Sequence, residues 1–114
     1  MDLDALASAI RKTSSDPILL KLSDLLVNWK SDKSTATELE QDVERYIGNT
    51  WISSTAEHEI IYSLWSQFRS DAIHGIGGMT MNERLYFFSL FPRWESIHTE
   101  EERKTIYAKL LANP

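Results

Sequence analysis

The amino-acid sequence predicts an all-α fold in which residues 1–114 form one compact bundle of about five to six helices. Apolar residues recur along the chain at the three- and four-residue spacing of helices that bury one face. Four segments begin with a Ser/Thr-x-x-Glu pattern, which is typical of helix N-termini. No segment combines alternating polarity with hairpin turn residues, as paired strands do. The length is sufficient for one domain with its own core.

The first two helices are predicted between residues 3 and 29. Helix one is expected over residues 3–11, where apolar side chains recur at helical spacing. Helix two is expected to start at Asp16 and Pro17, because an acidic N-cap accepts backbone N–H groups and a proline in the first turn loses no helical hydrogen bond. Its predicted buried stripe consists of Ile18, Leu22, Leu25, Leu26 and Trp29.

Capping boxes are predicted at the start of four later helices. In each, the hydroxyl accepts from a backbone N–H at the third helical position, and the glutamate accepts from the backbone of the hydroxyl residue. Because each pattern precedes an apolar periodic segment, the four together predict helix starts. The pairs are Thr35 with Glu38, Ser54 with Glu57, Thr80 with Glu83, and Thr99 with Glu102.

Helices three and four are predicted from their apolar faces and from glycines that follow them. Helix three should bury Leu39, Val43 and Ile47 and stop at Gly48 and Asn49 with a left-handed cap. Helix four should break at His74 and Gly75. Its predicted apolar residues are Ile61, Leu64, Trp65 and Phe68.

Helix five is predicted over residues 80–91, ending before Pro92. Its residues are apolar on nearly every side, so we expect it to be the central helix, surrounded by its neighbours. The polar residues Asn82 and Arg84 fall in its first turn, where a structural role suffices. Helix six should close the bundle with Ile106, Leu110 and Leu111.

Composition and motifs argue against several classes of site. Without cysteine, there are no disulfides, thiolate nucleophiles or cysteine-based zinc sites. His58 and Glu59 begin a zinc-protease pattern, but Tyr62 occupies the position of its second histidine. The glycines of residues 74–78 lack the lysine and the preceding strand of a phosphate-binding loop. We therefore expect no metal and no cofactor.

No export signal or membrane-length apolar run is present, so a cytoplasmic location is expected.

Charge is concentrated in one quarter of the chain. Residues 32–60 contain seven acids and two bases, so their formal charge of −5 equals that of the whole chain. This balance disfavours direct binding to nucleic acid and favours a basic protein partner, although a merely solvated face is the alternative. The predicted partner-binding residues are Glu38, Glu40, Asp42, Glu44, Glu57, Glu59 and Trp51. Within this set, Glu40 and Glu44 form a like-charge pair four residues apart.

Residues 79–94 contain a short run that resembles part of a known protein family. Their Thr-x-Asn-Glu-Arg-Leu run, which includes Asn82, Glu83, Arg84 and Leu85, resembles a helix start in small bacterial immunity proteins of contact-dependent growth inhibition systems. The resemblance implies a small, non-enzymatic cytoplasmic protein that binds and neutralises a cognate toxin, typically a basic nuclease. It assigns a structural role to the four matching residues, in agreement with the capping argument.

Two other functions are compatible with the sequence. A small hydrolase-type enzyme would use His74 and Asp71 as an acid–base pair beside the glycine-rich loop, with Glu83 as a further candidate. An oligomeric adaptor or regulator would use Trp51 and Trp94 as contact anchors, although both tryptophans could instead cover the core. Trp29 and Trp65 fall on apolar helix faces and are expected in the core.

Overall fold

A computed structural model describes residues 1–49 and 55–113 of the chain. Within these ranges all regular structure is helical, which confirms the all-α prediction, and the seven α-helices agree roughly with the expected five to six. The helices are α1 (Leu3–Thr13), α2 (Pro17–Trp29), α3 (Ala36–Asn49), α4 (Thr55–Phe68), α5 (Met81–Phe87), α6 (Phe91–Glu95) and α7 (Glu100–Lys109). A π-helical turn, Arg69–His74, continues α4, and a 3-10 turn, Ile76–Gly78, follows it. None of the described helices is both long and apolar enough to span a membrane.

Helices α1 and α2 form the most extensive helix pair, and α4 packs against α1. Asp2 and Asp16 cap the two helices, accepting from the backbone N–H groups of Ala5 and Ile18. The buried face of α2 is turned slightly from the predicted stripe. Ser23 lies inside it, donating to the carbonyl of Ala7 on α1 at 3.0 Å, which satisfies a buried hydroxyl. The buried apolar residues of α2 are Leu19, Leu22, Leu26 and Trp29, while Ile18 and Leu25 are half-buried.

Two of the four capping boxes form reciprocally. Thr35 and Glu38 exchange bonds of 3.1 and 3.2 Å, and Thr80 and Glu83 exchange bonds of 2.9 and 3.2 Å. At α7, the Thr99 hydroxyl accepts as predicted, but the carboxylate of Glu102 accepts from the backbone of His98. Ser54 lies outside the described residues. The carboxylate of Glu57 accepts from the Ser14 hydroxyl at 2.7 Å.

The two predicted glycine stops have different outcomes. Helix α3 continues through Gly48 and Asn49, and no glycine in the described ranges has a positive φ, so the left-handed cap was wrong. The helical run of α4 and its π-helical turn does end at His74 and Gly75, as predicted. A Cβ on Gly75 would lie 2.9 Å from the carbonyl oxygen of Asp71, so the chain there requires glycine.

The aromatic segment departs most from prediction. Helix α5 ends at Phe87, Ser89 adopts a left-handed φ of 55°, and Pro92 lies in the first turn of a new helix, α6, rather than ending the old one. Tyr86 is 54% exposed, so α5 is not enclosed on all sides. The fully buried aromatic residue of this segment is Phe88, just beyond α5, whose ring lies 5.3 Å from Trp29 and 5.6 Å from Phe68.

The last helix buries Ile106 and Leu110, as predicted. Leu111 does not belong to this face, because it has a φ of 56° and is 44% exposed. Arg84 closes the C-terminal end of α7 by donating to the carbonyls of Leu110 and Leu111 at 3.0 and 2.9 Å. Its Nε also donates to the carbonyl of Met79. Arg84 therefore links α5 to α7.

Candidate functional site

The predicted partner-binding acids of α3 fall on two sides of the helix. Glu38 and Asp42 are exposed on the outer side, next to exposed Gln41. Glu38 uses one oxygen in the capping box, and Asp42 lies 3.5 Å from the guanidinium of Arg45. Because Ala36, Leu39 and Val43 face the core, these outer side chains project toward solvent. We call Glu38, Gln41 and Asp42 the outer face of α3.

Glu40 and Glu44 instead point at the π-helical turn. Oε2 of Glu40 lies 2.7 Å from Nε2 of His74. Oε1 of Glu44 accepts from the guanidinium of Arg69 and, at 2.8 Å, from the indole N–H of Trp65. The like-charge pair expected from the sequence is partly relieved, because the charge of Arg69 lies against Glu44, while Glu40 makes a separate contact with the imidazole of His74. We call these two contacts the α3 ion pairs.

The remaining predicted residues are scattered. Glu57 is half-buried and accepts from Ser14, while Glu59 is exposed one turn into α4. Trp51 lies outside the described residues. Within the described residues, the acids of α3 thus lie on two sides of one helix, and no single continuous surface joins them to those of α4.

The acid–base pair considered for an enzyme is not formed. Asp71 accepts from the side-chain amide of Gln67 at 2.8 Å, while His74 contacts Glu40. Both His74 and Asp71 are exposed. Within the described ranges, no group of three or more His, Asp or Glu side chains is placed to hold a metal ion.

The three described tryptophans have the environments expected of core residues and covers. Trp29 and Trp65 are 2% and 1% exposed. Trp94 is half-buried, with its ring edge-on to Tyr107 at 5.6 Å and the Arg103 guanidinium 5.4 Å from its centroid. These contacts favour Trp94 as a cover over α7.

A second group of charges was missed from the sequence. Lys109 is fully buried, and its ammonium donates to the carbonyl of Asp32, the carboxylate of Asp32 and the carbonyl of Ser34 at 3.1, 2.8 and 2.8 Å. The same nitrogen lies 3.8 Å from the ring centroid of Trp29. We call Lys109, Asp32, Ser34 and Trp29 the buried lysine cluster. The available signal was position: Lys109 follows Ile106 by three residues and therefore shares its apolar face.

Opposing effects set the pKa values in this cluster. Burial lowers the pKa of Lys109, and the hydrogen bond and charge of Asp32 offset part of that effect. Burial also acts to raise the pKa of Asp32, but bonds from Lys109 and the Ser34 backbone, together with the lysine charge, hold it below its ordinary value. The arrangement anchors the segment after α2 to α7 and keeps the amine of Lys109 away from solvent.

No protein-family model, curated protein or solved structure matches this chain.

Proposed function

We propose that this chain is a non-catalytic binding protein of the immunity type. It binds a cognate bacterial toxin, most simply one with a basic nuclease domain, and neutralises it in the cytoplasm. The outer face of α3 contacts the toxin, and the glutamates of the α3 ion pairs border that contact. Carboxylates in this position occupy sites that substrate phosphates would otherwise fill on the toxin.

The supporting observation is that the carboxylates of α3 are held in place while remaining accessible. The side chains of Glu40 and Glu44 are 26% and 35% exposed. One oxygen of each is used internally, and the other has no hydrogen-bond partner among the described residues. A side chain that is already ordered loses less conformational entropy on binding, so such carboxylates favour association.

Internal pairing also reduces the acidic excess available to a partner. Arg69 offsets the charge of Glu44, His74 occupies one oxygen of Glu40, and Arg45 lies near Asp42. Glu38 and Asp42 therefore provide most of the long-range attraction to the toxin. The α3 ion pairs contribute to the local fit of the interface. Exposed charges of this kind act chiefly on association rate and salt dependence.

Binding to the product of the adjacent upstream reading frame tests the proposal. The informative variant is Gln41→Lys/Asp42→Lys, which inverts the outer face of α3 without touching the capping box. Its matched control is Asp24→Lys/Asn28→Lys on α2. Asp24 also lies 3.5 Å from an exposed arginine, Arg11, and both variants change the net charge by the same amount.

Calorimetric titration should show a stable complex for the unmodified protein. Loss of the Asp42 carboxylate and the addition of two lysine charges should weaken binding by about tenfold or more in the α3 variant, with a faster loss of affinity at high salt for the unmodified protein. The α2 control should bind like the unmodified chain. Absence of any complex, with no protection of cells that carry the toxin, would sink the proposal. Equal weakening by both variants would show that net charge alone, and not α3, determines binding.

A further inference from the structure

An open cleft lies between the end of α2 and the connection from α5 to α6. Its volume is about 400 Å³, within the range of small-molecule sites. Its lining combines basic, hydroxyl and apolar groups, and includes none of the residues of α3. The lining residues are Lys30, Ser31, Ser89, Leu90, Pro92, Arg93 and Ser96.

Arg93 is the main charged group of this cleft. Its Nη1 donates to the carbonyls of Lys30 and Asp32 at 2.5 and 3.0 Å, which fixes the plane of the guanidinium. A guanidinium has five N–H donors, and the remaining ones, on Nε and Nη2, have no acceptor among the described residues. No described carboxylate lies within 4.0 Å of it either.

The other nearby cations are already compensated. The ammonium of Lys30 lies 2.5 Å from the carboxylate of Asp4, and that of Lys109 lies 2.8 Å from Asp32. Arg93 is close enough to Lys109 for its charge to act on the lysine's pKa. The cleft therefore keeps an uncompensated positive charge, carried by an oriented planar donor.

Hydroxyl groups and an apolar wall complete the cleft. Ser31 is exposed, and its hydroxyl makes no hydrogen bond within the described residues. The Ser89 hydroxyl accepts from the backbone N–H of Asp4 at 3.0 Å, so its own proton is available to donate. Pro92 is exposed and provides apolar surface beside these donors, while Leu90 borders the cleft but is fully buried. The combination of a few convergent donors with apolar surface is typical of a ligand site.

We propose that this cleft binds a small organic oxyanion, a phosphate monoester or a carboxylate. The guanidinium of Arg93 and the hydroxyls of Ser31 and Ser89 bind its charged head, and Pro92 contacts its apolar part. A planar fork of N–H donors matches the oxygen pairs of both kinds of head group. The site is independent of toxin binding, because it shares no residue with the outer face of α3.

Titration of the full chain with phenyl phosphate and with benzoate, followed by amide NMR at constant ionic strength, tests the proposal. We expect saturable shifts, at millimolar ligand or below, at the amides of Ser31, Ser89, Arg93 and Ser96, and no such shifts with sodium chloride. A response to phenyl phosphate alone, to benzoate alone or to both supports the site and identifies the head group. If neither ligand shifts these amides more than chloride does, or if the shifts lie elsewhere, the proposal is overturned.

Two exposed serines offer a matched pair of variants. Ser31→Asp places a like charge in the cleft and should weaken binding about fivefold to tenfold, the effect of a unit charge about 4 Å away in an open site filled with water. Ser15→Asp, which lies between α1 and α2 and outside the cleft, should bind like the unmodified chain. Arg93→Lys keeps the charge but loses the fork, and should also weaken binding severalfold. Unchanged affinity in Ser31→Asp, with its fold verified by the same spectra, would contradict the assignment.

Discussion

The buried lysine cluster and the α3 ion pairs each join distant parts of the chain through a basic group and a carboxylate, but they differ in exposure. Lys109 is 0% exposed and donates to three oxygens while resting on the Trp29 ring. In the α3 ion pairs the side chain of His74 is 58% exposed and that of Arg69 is 27% exposed. Water can therefore reach both members of each α3 ion pair, whereas in the buried lysine cluster it reaches the 49%-exposed side chain of Asp32 but not the ammonium of Lys109.

Burial changes what such a contact contributes. An ammonium removed from water must have its hydrogen bonds and its charge satisfied inside the protein, and here all of them come from Asp32 and Ser34. An exposed pair contributes little, because solvent screens the charges and hydrates either member alone. The buried cluster should therefore govern folding stability, whereas the α3 ion pairs should mainly position side chains for a partner.

The largest expected effect comes from replacing the buried lysine. Lys109→Met removes three hydrogen bonds and the contact with the Trp29 ring, and should lower the free energy of unfolding by about 2–4 kcal/mol. Urea unfolding measures it. Lys104→Met, an exposed position on the same helix, is the control and should change stability by about 0.5 kcal/mol or less. If Lys109→Met and Lys104→Met were equally stable, the buried lysine cluster would contribute no more to stability than an exposed position does, and it would not differ from the α3 ion pairs in this respect.

The next effect concerns the backbone that carries the α3 ion pairs. Gly75→Ala would place a Cβ 2.9 Å from the carbonyl oxygen of Asp71, forcing the π-helical turn to shift at a cost of about 1–3 kcal/mol. Gly77→Ala is the matched control, since a Cβ there meets nothing within 4 Å. Thermal unfolding followed by circular dichroism compares the two. A Gly75→Ala protein as stable as Gly77→Ala would show that the close approach imposes no constraint.

Asp32 should make stability depend on pH. Because its pKa is lower in the folded chain than its ordinary value of 3.8, its contribution is fully present above that value and is lost as the pH falls through the folded value. Unfolding measured at several pH values should show wild type more stable than Asp32→Asn at neutral pH, with the difference narrowing in acid. When Lys109→Met is present in both proteins, the difference in their free energies of unfolding should change less with pH. A constant difference across this range would contradict the lysine contact as its cause.

Replacing Arg69, the basic member of the Glu44 pair, should have a smaller effect on the free energy of unfolding. Arg69→Met deletes the bond to Glu44, which keeps its bond from Trp65, so we expect a loss of about 1 kcal/mol. A double-mutant cycle with Glu44→Gln isolates the coupling from the effect of each substitution. A coupling as large as the loss in Lys109→Met would mean that partial exposure does not weaken the pair.

The smallest expected effect is at the exposed end. His74→Gln should change the free energy of unfolding by about 0.5 kcal/mol or less, and added salt should reduce any difference from wild type. Chemical unfolding at low and high salt measures this. If His74→Gln lowered the free energy of unfolding by more than this, and salt did not change the loss, His74 would have a structural role that its exposure does not suggest.

Local patterns predicted the helices best where one short stretch of chain contains all the interacting groups. The capping boxes at Thr35 and Thr80 form as expected because hydroxyl, glutamate and backbone lie within four residues. The same reasoning failed at Glu102, whose carboxylate found the neighbouring His98 backbone instead. It failed more widely in the aromatic segment, where burial of Phe88 between Trp29 and Phe68 accompanies an early end of α5.

Candidate site residues were predictable as a class but not as an arrangement. The acidity of α3 is visible in the sequence, and Glu38 and Asp42 are exposed as expected. The partners of Glu40 and Glu44 come from more than twenty residues away, on a π-helical turn that no local pattern indicates. The cleft at Arg93 likewise combines segments about sixty residues apart.

The sequence alone determined the helical class, the two reciprocal caps and the concentration of acids near α3, because these depend on periodicity, local hydrogen bonding and composition. Only the tertiary structure decided which carboxylates are paired and which face solvent. It also decided that one lysine is buried and that one arginine keeps uncommitted donors in a cleft. Those outcomes depend on which distant groups meet at a helix surface and on how much water remains there, and neither is encoded within a short window of residues.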